Sequence, residues 1–167
     1  MGIDSYQYRE KKAASDGAPL VFTFHGTGGN EDQFLPLAES IMPEAGVVSP
    51  RGDVSEHGAL RFFRREAEGV YDFEDLKVRR RAMANFVRAH KEQAKPSRAI
   101  GLGYSNGANI LAAVVFQNAD LFDDIVLMHP LVPWSPADTT DLARLRVLIT
   151  AGSARPDMPA VSNECAE

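Results

Sequence analysis

The stretch Ala99-Ile100-Gly101-Leu102-Gly103-Tyr104-Ser105-Asn106-Gly107-Ala108-Asn109-Ile110-Leu111-Ala112-Ala113-Val114-Val115-Phe116 decides the fold. Its first four residues are a short apolar run of the kind that forms a buried strand. From Ser105 onward nearly every residue after the first turn is small or apolar, as in a helix packed between a sheet and its neighbours. At the junction stands Gly103-Tyr104-Ser105-Asn106-Gly107, a G-x-S-x-G pentad. A serine in that setting occupies a sharp strand-to-helix turn with its hydroxyl exposed. Glycine flanks it because a Cβ would collide with the adjoining strand or helix. The helix that starts there aims its first amides and the positive end of its dipole at any charge developing beside the serine. Ser105 is therefore a candidate nucleophile. The competing reading is a glycine-rich turn with no chemistry, and context decides between them.

Context extends in both directions. Leu20-Val21-Phe22-Thr23-Phe24, Val47-Val48, Ile125-Val126-Leu127-Met128 and Val147-Leu148-Ile149-Thr150 are further short apolar runs, each closed by Gly, Pro, Ser or His. Helical patterns over 31–41 and 74–91 alternate with them, and the second carries Leu76, Met83, Phe86, Val87 and His90 on an inward stripe. Strands alternating with helices predict an α/β fold: a mostly parallel sheet with helices on both faces. In such sheets the strand carboxyl ends form the binding rim, which brings His25, Pro50, Ser105, His129 and Gly152 together. His25-Gly26-Thr27-Gly28-Gly29-Asn30 follows the first of these runs and reads as an oxyanion loop. Acyl transfer places charge on a carbonyl oxygen, and two preorganised amides stabilise it. The candidate donors are Thr27 or Gly28 from this loop and Asn106 from the helix start. A phosphate-binding loop is the rival reading. No Gly-Lys-Ser/Thr follows, however, and Glu31 stands where G-x-G-x-x-G needs its last glycine.

The 167 residues suit one domain, with 44% hydrophobic and 25% charged residues as in ordinary globular chains. Lys+Arg 18 against Asp+Glu 23 leaves a net charge of −5, which gives no field for nucleic acid or anionic lipid. The single cysteine, Cys165, builds neither a disulfide framework nor a thiolate metal site. No secretory or membrane-spanning pattern is present, so a cytoplasmic protein is expected. The segment from Arg51 to Asp72 has no clean period, and its Phe62 and Phe63 form either a substrate wall or a plug in the core. Arg79-Arg80-Arg81 reads as a solvated face, with a specific anion site as the alternative. Trp134 is either packing at the rim or a ligand contact. Past Gly152 the pattern stops, which divides the chain into a domain over 1–152 and an irregular tail over 153–167.

Taken together, Leu20 to Asn30, Ser49-Pro50-Arg51-Gly52-Asp53, Arg61-Phe62-Phe63-Arg64-Arg65 with Glu68-Gly69-Val70-Tyr71-Asp72, Gly103 to Ala108, and Met128-His129-Pro130-Leu131-Val132-Pro133 resemble the phospholipase/carboxylesterase family of α/β-hydrolases. The resemblance implies a serine esterase acting on small carboxylic esters or thioesters, with Ser105 as nucleophile and no metal or organic cofactor. It also makes Arg51-Gly52-Asp53 a structural turn. The only implied partner is a small-molecule ester, with neither nucleic acid nor membrane. In this family the acid and then the histidine follow the serine in the chain. Asp157 is the nearest match for the acid, although Arg155-Pro156-Asp157 replaces the expected Asp-Pro order. No histidine follows His129. His25 is expected to support the oxyanion loop, His57 and His90 to be surface or packing residues, and His129 to be the substitute base if there is one. The expectation is a chain whose reading frame stops before the last strand and its histidine. That would leave an open sheet edge that favours homo-oligomers or poor solubility. The alternative function is a catalytically inactive domain of this fold that binds a small hydrophobic ligand.

Overall fold

The structure, a computed structural model, describes residues 2–134 and 140–152. In chain order its elements are β1 (Tyr8–Lys11), β2 (Leu20–Phe24), α1 (Leu35–Ile41), β3 (Gly46–Pro50), β4 (Val54–Glu56), β5 (Ala59–Arg61), β6 (Arg65–Ala67), β7 (Val70–Tyr71), α2 (Phe73–Ala94), β8 (Ala99–Tyr104), α3 (Asn106–Val115), β9 (Asp124–Met128) and β10 (Arg146–Thr150). Six strands form one sheet in the order β1-β3-β2-β8-β9-β10, in which only the β1–β3 pair is antiparallel. The five apolar runs of the sequence are its five parallel strands.

All five residues of β2 and of β3 are buried, because helices cover both faces of the sheet there. Alternation along the strands sorts the side chains into two clusters. Leu20, Phe22, Phe24 and Val48 pack with α2 and α3, whereas Val21 and Val47 pack with Ala38 and Ala45 beside α1. α2 begins where Asp72 accepts the Asp75 amide at 2.9 Å, with Glu74 and Asp75 in its first turn, and ends at the left-handed Lys95. Its buried stripe includes all five residues expected from the sequence. α3 is buried over its whole length.

Three features depart from the sequence expectations. α1 starts at Leu35 rather than Glu31, because residues 30–34 form turns and Pro36 sits at the first helical positions, where its missing N–H costs nothing. β1 is a charged edge strand with no apolar run. The excursion from Arg51 to Asp72 contains two small hairpins, β4–β5 and β6–β7, whose turns use left-handed His57-Gly58 and Gly69. On the far edge, β10 pairs with β9 alone among the described residues, and all five of its side chains are exposed. Among the described residues no helix is long and apolar enough to cross a membrane.

Candidate active site

β8 and α3 meet at Ser105, which holds φ 51° and ψ −116°, a left-handed conformation rare for a side-chain-bearing residue. Its amide donates to the Met128 carbonyl at 2.8 Å, and its carbonyl accepts the Asn109 amide at 3.0 Å, so both neighbours in the fold hold the turn. The flanking glycines are sterically required. A Cβ on Gly103 would lie 2.6 Å from the Gly107 carbonyl oxygen and 2.8 Å from Ala108 Cα. A Cβ on Gly107 would run into the Phe24 carbonyl oxygen and come within 2.5 Å of that of His25. The elbow is thus pressed against the end of β2, where Phe24 is in register with Gly103. Ser105 itself is partly exposed.

The same contact places the loop 25–30 beside the elbow. Of its two candidate donors, the structure leaves one. The Gly28 amide already donates to the Leu60 carbonyl at 3.0 Å, a partner far along the chain, which corrects the expectation that Gly28 is available. The amides of Thr27 and Asn106 have no acceptor among the described residues. Asn106 opens α3, where the first amides are always without helical partners.

A set of buried polar contacts fixes this loop. The His25 ring is buried, and its Nε2 accepts the Gly52 amide at 2.8 Å. Its Nδ1 therefore carries the proton and donates to the Gly26 carbonyl at 2.8 Å. Both ring nitrogens are occupied, so His25 supports the loop and does not accept a proton. Burial pushes its pKa down, outweighing the Gly26 carbonyl and the Glu31 charge. Gln33 Oε1 accepts the Gly26 amide at 2.9 Å. Arg61, only 3% exposed, donates from Nη1 to Thr27 Oγ1 at 2.7 Å and from Nε to the Phe63 carbonyl at 3.2 Å, and Glu56 lies 3.4 Å away. Burial, then the Arg65 charge, lowers the Arg61 pKa against the opposing pull of Glu56.

Phe62 and Phe63 are 1% and 0% exposed. They are core plugs and line no exposed wall, which corrects the expectation of a substrate contact. Phe62 packs on His25 and Phe24, and its amide donates to Asn106 Oδ1 at 2.7 Å, while Phe63 packs edge-on against Tyr71. Arg61 beside them also reaches the loop 25–30, through Thr27 Oγ1. Arg61 escaped the sequence reading because arginine is rarely buried. A second polar cluster was also missed. Asn109 Nδ2 donates to Tyr71 Oη at 2.7 Å, Tyr71 Oη donates to the Leu131 carbonyl at 2.9 Å, and the Leu131 amide donates to Asn109 Oδ1 at 2.7 Å. Its only sequence signal is Asn109, the one polar residue of α3 beyond the Asn106 that opens it. Trp134 packs edge-on near Tyr71, Phe73 and Phe116.

The other histidines divide clearly. His90 is buried among Phe86, Tyr8 and Phe22, and burial lowers its pKa. His57 is exposed on the β4–β5 turn. His129 follows β9 on the strand next to the elbow, because Tyr104 and Met128 are in register. It is exposed, has φ 51°, and its Nδ1 accepts the Gly152 amide at 3.3 Å. Asp157 lies outside the described residues. Among the described residues no group of three or more His, Cys, Asp or Glu side chains is arranged to hold a metal ion.

No protein-family model matches the chain. A Bacillus subtilis (strain 168) protein named "Putative hydrolase MhqD" is 43% identical over 148 residues, covering 87% of this chain and 73% of that protein. The crystal structure of a Bacillus cereus carboxylesterase is 40% identical with a TM-score of 0.84, over 91% of this chain and 73% of the other. A carboxylesterase from Mesorhizobium loti is 28% identical with a TM-score of 0.77, over 86% and 70% of the two chains. With the parallel sheet, the serine turn between β8 and α3 and these relatives in hand, the chain belongs to the phospholipase/carboxylesterase family of α/β-hydrolases.

Proposed function

We propose that the protein is a serine carboxylesterase that hydrolyses small carboxylic esters or thioesters. The observation that carries this reading is the left-handed, partly exposed Ser105 at the head of α3, beside a loop whose Thr27 amide is unoccupied among the described residues. Ser105 Oγ attacks the ester carbonyl carbon and its proton passes to a base. The carbonyl oxygen takes up the negative charge and accepts hydrogen bonds from the Thr27 and Asn106 amides. Collapse expels the alcohol or thiol, and water then releases the acid from the acyl-serine. Arg61 and His25 act through the loop as positioning residues. His129 is the exposed histidine at the same rim; its Nδ1 accepts the Gly152 amide, so its Nε2 carries the ring proton, and His129 takes up the serine proton on Nε2 only after releasing that amide and moving its hydrogen to Nδ1. Asp157 is retained as the candidate acid.

One observation favours a second reading. Both ring nitrogens of His25 are engaged and His129 Nδ1 accepts the Gly152 amide, so a domain that binds a small hydrophobic ligand without turnover is the alternative. A fluorophosphonate probe separates the two. An activated serine is labelled in the wild type and not in Ser105→Ala, with hydrolysis of p-nitrophenyl acetate lost in parallel. Equal labelling of Ser105→Ala overturns the nucleophile assignment, and absence of labelling at high probe concentration establishes the inert alternative.

A further inference from the structure

The run Arg79-Arg80-Arg81 reads as one charged face, but the structure divides it. Arg79 turns to Asp53 at 2.6 Å and to Asp75 at 3.2 Å. Arg80 and Arg81 instead line a cavity of about 130 Å³ together with Ala84, Asn85, Gln117 and Asn118. The hollow has a simple origin. Lys77, Arg81, Ala84, Arg88 and Lys91 recur at steps of four and three, one stripe along α2, and only Ala84 is short. The opposite wall is the pair Gln117-Asn118, just past the carboxyl end of α3. Ten residues of α3 at about 1.5 Å each separate this hollow from Ser105 by roughly 15 Å.

Its charge is unusual for this molecule. Among the described residues, eight arginines stand within 4.0 Å of a carboxylate in a chain of net charge −5. Arg80, Arg81 and Arg88 have none among the described residues. Arg88 donates to Asn85 Oδ1 and Asn118 Oδ1, both at 3.2 Å, which leaves the Asn85 Nδ2 group as the donor end of that amide. Burial, then the Arg81 charge, depresses the Arg80 pKa. The arginines are not needed to satisfy the end of α3. The carbonyls of Ala112, Val114 and Val115 already accept from the amides of Phe116, Gln117 and Asn118.

We propose that this hollow is a second ligand site, separate from Ser105, that takes a phosphate group held by the Arg80 and Arg81 guanidiniums and by the side-chain amides of Asn85 and Gln117. Two planar forks match the geometry and double charge of such an oxyanion. Ligand pockets for larger molecules run to about 300–1,000 Å³, so this one admits a phosphate headgroup and not a whole nucleotide.

The test is isothermal titration of the purified protein in phosphate-free, low-salt buffer with inorganic phosphate and, separately, with glycerol 3-phosphate. One saturable site is expected for the wild type. Arg81→Gln should weaken it by about tenfold or more and Arg80→Gln/Arg81→Gln should remove it, while Lys12→Gln, an equal loss of charge on a remote exposed side chain, leaves it within about twofold. Melting temperatures are recorded alongside; Arg81 is exposed, Arg80 is partly buried, and neither meets a carboxylate among the described residues, so the variants should melt close to the wild type. Binding of both probes supports a site for phosphorylated ligands, and binding of inorganic phosphate alone supports a site for the free ion. No saturation up to about 10 mM, or equal affinity in the double variant, overturns the proposal.

Discussion

Replacing His25 by alanine separates the loop 25–30 from the turn that supports it. In the wild type the ring joins the Gly52 amide to the Gly26 carbonyl through two 2.8 Å hydrogen bonds, and both glycines are buried. Without the ring the Gly52 amide is left without a partner among the described residues, at about 1–3 kcal/mol, while the Gly26 carbonyl keeps the Gly29 amide at 3.0 Å, so the loss is about 1–3 kcal/mol. In a domain of this size each kcal/mol moves the melting temperature by about 2–4 °C, so the minimum expected fall is about 2–4 °C. The effect also depends on pH with a definite sign. Burial lowers the pKa of His25 below its ordinary 6.5, so the unfolded chain takes up the proton first. The stabilisation is complete above about pH 6.5 and declines as pH falls towards the folded-state value, by at most about 1.4 kcal/mol per pH unit. His90 carries a shift of the same sign and remains in the variant. Urea titrations of wild type and His25→Ala between about pH 8 and pH 5 should therefore show a stability gap that narrows in acid. A gap below about 1 kcal/mol at pH 8, or one that stays constant with pH, refutes the assignment of His25 as a neutral, doubly bonded support.

Two further outcomes are expected. Gly103→Ala forces a Cβ against the Gly107 and Ala108 backbone, which should cost about 1–3 kcal/mol in urea titration and reduce probe labelling of Ser105; a variant equal to wild type in both contradicts the steric account. Arg61→Met preserves the bulk of the buried stem but removes the donors to Thr27 Oγ1 and the Phe63 carbonyl, and it should lower kcat for p-nitrophenyl acetate by about tenfold or more while KM changes less. A fall confined to KM would place Arg61 in substrate binding instead.

The sequence reveals those parts of the fold whose causes are local. The run Leu20–Phe24 is apolar on both faces because both faces are covered, and Gly103 marks a turn whose crowding comes from Gly107 and Ala108, near neighbours in the chain. β1 is different. Its four residues, Tyr8-Arg9-Glu10-Lys11, join the sheet through backbone bonds at an edge, and side-chain patterning carries no record of that. The excursion was legible only as an anomaly. Hydrophobicity directs attention to Phe62 and Phe63, yet whether an apolar side chain faces a ligand or the core depends on what packs against it, here His25, Phe24 and Tyr71. The loss of Gly28 as a donor is a tertiary fact of the same kind, since Leu60 reaches it from a separate hairpin.

Asn106 bears on any attempt to reshape the specificity of this protein. Its main-chain N–H lies beside the serine, whereas its side-chain oxygen grips the Phe62 amide. A mutational library that randomises position 106 to widen the acyl range would also detach the hairpin region that carries Arg61, so most members would lose the scaffold along with the selectivity. Diversity is better introduced on exposed rim positions such as Tyr104 and Leu131, which carry no such tie through their side chains.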